Sequence, residues 1–323
     1  MRSFWEGKKV AVTGGTGFIG SHLVEELVKQ GARVTVPTSS GNTGNLGRVI
    51  NQVRIVRADL TDHKSARRVF RGLDIVLHLA AKVAGILYNS THGAEMFRTN
   101  AALNQTVIDA AAASGIKRML VTSSACVYAR YTPQPMREES GMVDEPEPTN
   151  GGYGWSKRFA EVTAGLYAGQ FGLEVAIARP FNAYGPRDNF DPAMSHVIPG
   201  LITRIYSGEN PLKVWGSGKQ TRSFIYVDDL VRGMMDITEK YAVADPVNLG
   251  SGEEVTIARL ARMLVKLSGK KTKIIFDTSK PDGQPRRLCD VMYARNKFGF
   301  VTRVTLEAGL GKMLLWYERH LSS

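Results

Sequence analysis

Tyr153 and Lys157 stand four residues apart in Tyr153-Gly154-Trp155-Ser156-Lys157, a spacing that puts a phenol and an ammonium on one face of a helix. A cation beside a phenol favours the phenolate and is expected to lower its pKa, so the pair could exchange a proton with a hydroxyl or ketone near neutral pH. Ser124, in Thr122-Ser123-Ser124-Ala125 after an apolar run, is placed to hydrogen-bond the same oxygen. A Y-x-x-x-K spacing is common by itself. Its weight here comes from the other end of the chain, where Gly14, Gly17 and Gly20 recur every third residue in Thr13-Gly14-Gly15-Thr16-Gly17-Phe18-Ile19-Gly20. Glycines at such a turn let backbone N–H groups approach a pyrophosphate at the positive end of a helix. A dinucleotide site and a proton-transfer pair are the parts of a hydride-transfer enzyme.

The elements needed to hold these groups are legible around them. Val10-Ala11-Val12 reads as a buried strand, and Phe18 to Gln30 as a helix with apolar Ile19, Leu23, Leu27 and Val28. Further strands are expected near 33–36, 54–58, 75–79, 119–122 and 175–178, separated by helical stretches at 65–71, 104–113 and 156–170. Such alternation implies an α/β fold, a Rossmann-type doubly wound parallel sheet covered on both faces. Beyond Pro180 the chain is broken by Pro and Gly, as in Tyr184-Gly185-Pro186 and Trp215-Gly216-Ser217-Gly218. A smaller, interleaved C-terminal substrate lobe is expected there. The division is residues 1–180 for the dinucleotide-binding domain, with elements at about 224–250 returning to it, and 181–223 plus 251–323 for the substrate lobe.

Composition narrows the function. Hydrophobic residues make up 43% and charged residues 22% of 323, an ordinary globular balance, and no apolar run approaches the ~20 residues that span a bilayer. Met1 to Lys9 lacks the apolar core of a signal peptide, so a cytoplasmic location is expected. Two cysteines, Cys126 and Cys289, cannot supply a disulfide framework or a Cys-rich metal site, and no metal is expected. The 42 Lys and Arg against 30 Asp and Glu give a net charge of +12, but the basic residues are scattered without an aromatic-interleaved stripe. Nucleic acid is therefore not expected, whereas a dinucleotide and a nucleotide sugar, both pyrophosphates, would benefit from the field.

Enzymes that use NAD usually carry an acidic residue about 20 residues beyond the glycines, on the ribose 2′-hydroxyl. That stretch here is Val34-Thr35-Val36-Pro37-Thr38-Ser39-Ser40, and its hydroxyls, with Arg48 nearby, favour NADP over NAD. Asp59 and Leu60, after the third strand, are expected near the adenine, although Asp59 also suits a turn cap.

Taken together, the glycine loop, Leu79-Ala80-Ala81, Ser124 and Tyr153/Lys157 resemble the extended short-chain dehydrogenase/reductases, the epimerase/dehydratase group, across nearly the whole chain. Within that group the chain is most similar to the GDP-L-fucose synthases. The strings that carry this are Ala81-Lys82-Val83-Ala84-Gly85-Ile86, Glu147-Pro148-Thr149-Asn150, Tyr184-Gly185-Pro186-Arg187-Asp188-Asn189-Phe190, Ser195-His196-Val197-Ile198-Pro199, Val214-Trp215-Gly216-Ser217-Gly218 and Ser279-Lys280-Pro281-Asp282-Gly283-Gln284-Pro285-Arg286-Arg287. The resemblance implies epimerisation of a GDP-linked 4-keto-6-deoxy sugar at C3 and C5, then reduction of C4 by NADPH. It implies Cys126 and His196 as the residues that exchange the C3 and C5 protons. It implies Asn182 at cofactor or substrate, and Lys82, Arg204, Trp215, Arg222 and Lys280 at substrate. A homodimer through two helices per subunit is also implied. The glycine loop is nearer the general epimerase form, and Ser123 to Tyr128 and Gln220 to Phe224 also resemble GDP-mannose 3,5-epimerase. A nucleotide-sugar epimerase without net reduction, of that type or a UDP-sugar 4-epimerase type, or an enzyme of a related GDP-keto-sugar, therefore stays open. A non-catalytic NADP-binding protein is the more distant alternative.

Overall fold

Successive residues of the first strand belong to two different hydrophobic cores: Val10 and Val12 face one, Ala11 the other. The computed structural model, which describes residues 3–192, 194–280 and 282–321, repeats this alternation across a parallel sheet. Pro281, in one of the strings above, lies outside the described residues. The strands are β1 (Lys9–Thr13), β2 (Arg33–Thr38), β3 (Arg54–Arg57), β4 (Ile75–His78), β5 (Arg118–Thr122), β6 (Glu174–Pro180), β7 (Ala183–Tyr184), β8 (Leu212–Trp215), β9 (Thr221–Ser223), β10 (Ile225–Tyr226), β11 (Pro246–Leu249), β12 (Glu254–Thr256), β13 (Ile274–Asp277) and β14 (Arg286–Arg287). The helices are α1 (Phe18–Lys29), α2 (His63–Phe70), α3 (Ile86–Thr91), α4 (Gly93–Ala113), α5 (Gly151–Phe171), α6 (Val197–Tyr206), α7 (Val227–Lys240), α8 (Ile257–Leu267), α9 (Met292–Phe298) and α10 (Leu306–Leu321).

Seven strands form the main sheet in the order β11-β6-β5-β4-β1-β2-β3, every neighbour parallel. This is the Rossmann-type arrangement expected from the alternating pattern. Strand order reverses between β1 and β4, and ligands of such sheets sit beyond the carboxyl ends of the strands at that point. Leu23, Val24 and Leu27 of α1 and Leu230, Met234 and Ile237 of α7 cover one face. Val69 and Phe70 of α2, Val107 and Ile108 of α4, and Ala160 and Ala164 of α5 cover the other. Burial of each large aliphatic side chain here stabilises the fold by roughly 1.5–3 kcal/mol.

Beyond β6 the chain leaves the sheet and returns to it: β11 pairs with β6, while the segments on either side build smaller sheets, β12-β9-β14, β13-β8 and β10-β7. Arg286 and Arg287 of β14 lie beside Thr221 and Arg222 of β9, so distant segments bring two arginines together. Helix α5 starts at Gly151, five residues before the expected position. A Cβ on Gly152 would lie 2.0 Å from the Gly93 carbonyl oxygen, and one on Gly154 would lie 2.4 Å from that of Cys126. These glycines let the helix seat against α4 and the Cys126 loop, where bulkier residues would hold it off.

Candidate active site

A cavity of about 750 Å3 opens at the carboxyl end of the sheet, over the β1/β4 switch point. Its floor is the glycine loop. Gly17 is the N-cap of α1 and supplies no side chain to the first-turn N–H groups, so these face the cavity as donors for an anion. Gly14 has φ +68, and a Cβ there would lie 2.8 Å from the Ala80 nitrogen; a Cβ on Gly20 would lie 2.1 Å from the Gly14 carbonyl oxygen. The turn therefore closes onto Leu79-Ala80-Ala81, and Phe18, Ile19 and these three residues line the same wall. The cradle fits a nicotinamide dinucleotide.

Beneath the loop, the Thr13 hydroxyl accepts from the N–H groups of Leu79 (3.2 Å) and Ala80 (3.1 Å), and so donates its own proton to His78 Nδ1 at 2.7 Å. His78 Nε2 then carries the proton that goes to Asn104 Oδ1 at 3.0 Å. Burial first, then the Lys157 charge, pulls His78 down to about 3, which keeps the ring neutral and this tautomer fixed.

Ser124, Cys126, Tyr153 and Lys157 line the cavity beside the glycine loop. Ser124 caps a short 3-10 turn (Ala125–Val127) and accepts from the Cys126 N–H at 3.1 Å, which leaves its O–H to donate. Lys157, 2% exposed, donates from Nζ to the Thr122 carbonyl at 2.7 Å and lies 5.4 Å from the centre of the Tyr153 ring. The expected depression of the Tyr153 pKa is reversed in the free protein: burial, followed by Cys126, holds the phenol well above its ordinary value. Burial likewise pulls the Lys157 ammonium down to about 8. At neutral pH the tyrosine is thus a protonated donor beside a charged lysine. Below them Arg179 and Glu161 form a buried ion pair at 2.7 and 2.8 Å, with Ser123 donating to the same carboxylate.

His196, the N-cap of α6, borders the same cavity, as do Asn182 and Arg222. Asn182 has φ +37, a backbone strained for a residue with a side chain, and its amide donates to the Ser223 carbonyl at 2.7 Å. Arg222 donates to the carbonyls of Thr221 (2.8 Å) and Gln284 (2.7 Å). Burial, then the neighbouring Arg287, pulls Arg222 down to about 9. Two guanidinium groups forced together in this way would be relieved by an anion bound between them.

The remaining expected residues stand elsewhere. Lys82 pairs with Glu95 and reaches Tyr88 Oη at 3.3 Å. Arg204 is held by Glu209 at 2.6 Å through two nitrogens and by the Lys213 carbonyl. Lys280 lies 5.8 Å over the exposed Trp215 ring, outside the cavity wall. Asp59 accepts from the Thr61 N–H and hydroxyl at 2.8 and 2.7 Å, the turn cap foreseen as its other reading, and Leu60 is buried against α2 and α4. The cavity in turn receives Glu147, Asp188 and Arg287, which were not singled out as site residues although each stands in a quoted string. Among the described residues no three His, Cys, Asp or Glu side chains gather as a metal site, and no helix is long and apolar enough to cross a membrane.

Comparison with known proteins agrees with this geometry. Residues 10–250 match the NAD dependent epimerase/dehydratase family. The chain is 35% identical to a probable GDP-L-fucose synthase 1 of Oryza sativa subsp. japonica, covering 98% of this chain and 94% of the relative. It is 34% identical to a dTDP-4-dehydro-6-deoxy-D-allose reductase of a Streptomyces species, covering 98% of each. Among solved structures, the UDP-glucose 4-epimerase of Thermotoga maritima superposes with a TM-score of 0.87 at 26% identity, covering 97% of this chain and 99% of that one. The chain belongs to the NAD-dependent epimerase/dehydratase family, a nicotinamide-dependent family of nucleotide-sugar enzymes.

Proposed function

We propose that this protein is an epimerase/reductase of a GDP-linked 4-keto-6-deoxy sugar, inverting C3 and C5 and reducing C4 with NADPH. The observation that carries the reading is the meeting, in one cavity, of the Ser124/Tyr153/Lys157 set with Cys126 and His196. The first three serve hydride transfer. The other two add proton-transfer groups that a simple reductase does not need.

Both C3 and C5 flank the ketone, so their protons are acidic, and a base on one face with an acid on the other inverts each centre through an enolate of the C4 ketone. In this reading Cys126 and His196 exchange those protons. Ser124 donates to the C4 oxygen and so stabilises that enolate. NADPH, when bound, supplies the hydride for C4. Tyr153 delivers its phenolic proton to the C4 oxygen, giving the alcohol, and the Lys157 ammonium stabilises the phenolate left behind. Arg222 and Arg287 hold the diphosphate.

NADP is preferred over NAD because no acid follows β2, where Thr38-Ser39-Ser40 offers hydroxyls. Strand register sets Arg57 opposite Thr38, adding a cation at the same strand ends. Exposed Phe97 on α4 and Trp155, Val162 and Leu166 on α5 support a homodimer through these helices. The GDP preference rests on the similarity to GDP-L-fucose synthases. The similarity to the dTDP-sugar reductase favours a second reading, reduction of a dTDP-linked keto sugar at the same site.

The test is a mass spectrum of the nucleotide sugar after incubation with GDP-4-keto-6-deoxy-D-mannose and NADPH in deuterated water. Reduced product carrying deuterium at C3 and C5 is the expected result. Neither reduction nor exchange, with turnover of the dTDP-linked ketone instead, replaces this reading by the second.

A further inference from the structure

We propose that Asp188 is a positioning residue for His196: its carboxylate, fixed by an anchor at Arg187, pairs with the imidazole and turns it toward the sugar. This goes beyond the proposed function and rests on it for the role of His196.

The segment that carries Asp188 is held with unusual force. Arg187 has φ +69, a left-handed backbone that a residue with a side chain adopts only when its surroundings impose it. Its guanidinium binds Glu25 of α1 through two nitrogens at 3.0 and 2.8 Å, and donates to the Asn45 carbonyl at 2.8 Å. It also donates to His22 Nδ1 at 2.9 Å, while His22 Nε2 donates to the Pro186 carbonyl at 2.9 Å. Burial and Arg187 pull His22 down to about 4, so this ring is a neutral acceptor and the arrangement is consistent. Asn45 in turn donates to the Thr16 carbonyl at 3.0 Å, inside the glycine loop. The Pro186–Asp188 backbone is thus tied to the cofactor end of the cavity.

On the far side of that anchor, the Asp188 side chain is 3% exposed and lies in the cavity wall. Oδ1 accepts from the Asn189 N–H at 2.7 Å and stands 3.7 Å from His196 Nδ1. Oδ2 is buried and has no hydrogen-bond partner among the described residues. A carboxylate withdrawn from water to this extent needs a compensating charge, and the imidazolium of His196 is the one in contact. At 3.7 Å the contact is an ion pair, longer than a hydrogen bond. The His196 ring itself is 54% exposed toward the open cavity.

His196 sits at the N-terminus of α6, where the helix dipole opposes a positive ring. Asp188 overcomes this and holds the imidazole above its ordinary value. The other titratable groups in the cavity wall are Cys126, Glu147, Tyr153, Lys157, Tyr184, Arg187, Arg222 and Arg287, and of the two carboxylates Asp188 is the one paired with the ring. With Nδ1 turned to Asp188, Nε2 is left for the substrate.

The experiment is a histidine NMR titration of the cofactor-loaded protein, with His196 assigned from a His196→Asn variant. Wild-type His196 is expected to titrate above the ordinary value of about 6.5, and Asp188→Asn to lower its midpoint by about 1 pH unit. In the same variant, deuterium exchange at C3 and C5 is expected to fall about tenfold, with the His196 inflection of its pH profile moved by the same amount. Reduction of a ketone already in the product configuration stays within about threefold, because hydride transfer does not use His196. Asp188→Glu, which keeps the charge, is expected to keep the midpoint high, and it carries the test if Asp188→Asn fails to fold. A midpoint unchanged in Asp188→Asn, or an ordinary midpoint in both the wild type and Asp188→Glu, overturns the proposal. A shifted midpoint with no exchange on any keto sugar supports the pairing and removes the proposed function instead.

Discussion

Lys157 Nζ bonds the Thr122 carbonyl at 2.7 Å while standing 5.4 Å from the centre of the Tyr153 ring, so the ammonium is moored to the sheet and faces the phenol at the same time. Burial pulls this ammonium down to about 8, below its ordinary 10.5. The unfolded chain therefore binds more protons than the native one between about pH 8 and 10.5, and Lys157 makes stability rise with pH across that window. Lys157→Met is expected to flatten that rise in the free protein, read as Tm against pH. It is also expected to lower the reduction rate by about 10² or more at neutral pH. In the wild type, reduction should decline as pH rises through about 8, because a neutral lysine no longer stabilises the phenolate. A reduction rate flat to pH 10 argues against a charged Lys157 in the step.

In the proposed reaction, Tyr153→Phe removes the proton given to the C4 oxygen and leaves in place Cys126 and His196, the groups assigned to C3 and C5. Reduction is expected to fall about 10²–10⁴-fold, while deuterium exchange persists within about tenfold. Because burial holds the phenol above its ordinary value, the wild-type tyrosine stays protonated throughout the neutral range and sets no alkaline limb there. Parallel loss of exchange and reduction would show that the two stages share this residue.

Cys126→Ser tests the other half of the site. Its thiol lies in the cavity wall, between the Ser124 cap and the close approach of Gly154 to its carbonyl. A hydroxyl in its place is a much weaker base, so exchange at C3 and C5 is expected to fall about 10²-fold or more. Hydride transfer to a ketone already in the product configuration should stay within about threefold. Equal losses in both reactions would remove the division of labour between Cys126 and Tyr153.

How much of this was readable before folding depends on chain distance. The alternation of Val10, Ala11 and Val12 and the helical spacing of Leu23 and Leu27 are local, and they lead directly to the doubly wound sheet. Gly14, Gly17 and Gly20 also act locally, within one strand–turn–helix unit. Helix α5 begins earlier than expected, and Gly152 and Gly154 near its start serve close contact with Gly93 and Cys126, which no spacing within the helix reveals. Arg287 reaches the cavity because β14 runs beside β9, a pairing between segments over 60 residues apart. Arg204 shows the opposite case. The family resemblance placed it at substrate, but Glu209, five residues on, binds its guanidinium through Nε and one Nη. The sign of the Tyr153 shift was misread for a related reason: proximity of a cation was visible in the spacing, and the burial that outweighs it was not.

The Arg179–Glu161 pair beneath Ser123 makes the final prediction. Both side chains are at most 2% exposed, and their two bonds are joined by Arg179 donating to Tyr128 Oη at 3.1 Å and to the Glu138 carbonyl at 2.7 Å. Such a pair gains little over apolar packing while whole, because desolvation offsets attraction; removing one partner leaves a buried charge. Arg179→Met is therefore expected to destabilise the fold by about 3–5 kcal/mol, measured by urea denaturation. Glu161 then holds an uncompensated carboxylate, so the loss should shrink as pH falls and that group takes up a proton. The double variant Glu161→Leu/Arg179→Met is expected to recover most of the loss. Since the pair bonds Ser123 and reaches Lys157 through the Glu161 charge without touching a reacting group, purified folded double variant should keep the hydride-transfer step within about tenfold at neutral pH. A double variant no more stable than Arg179→Met would show that the bonds to Tyr128 and Glu138, not the ion pair, fix this part of the floor.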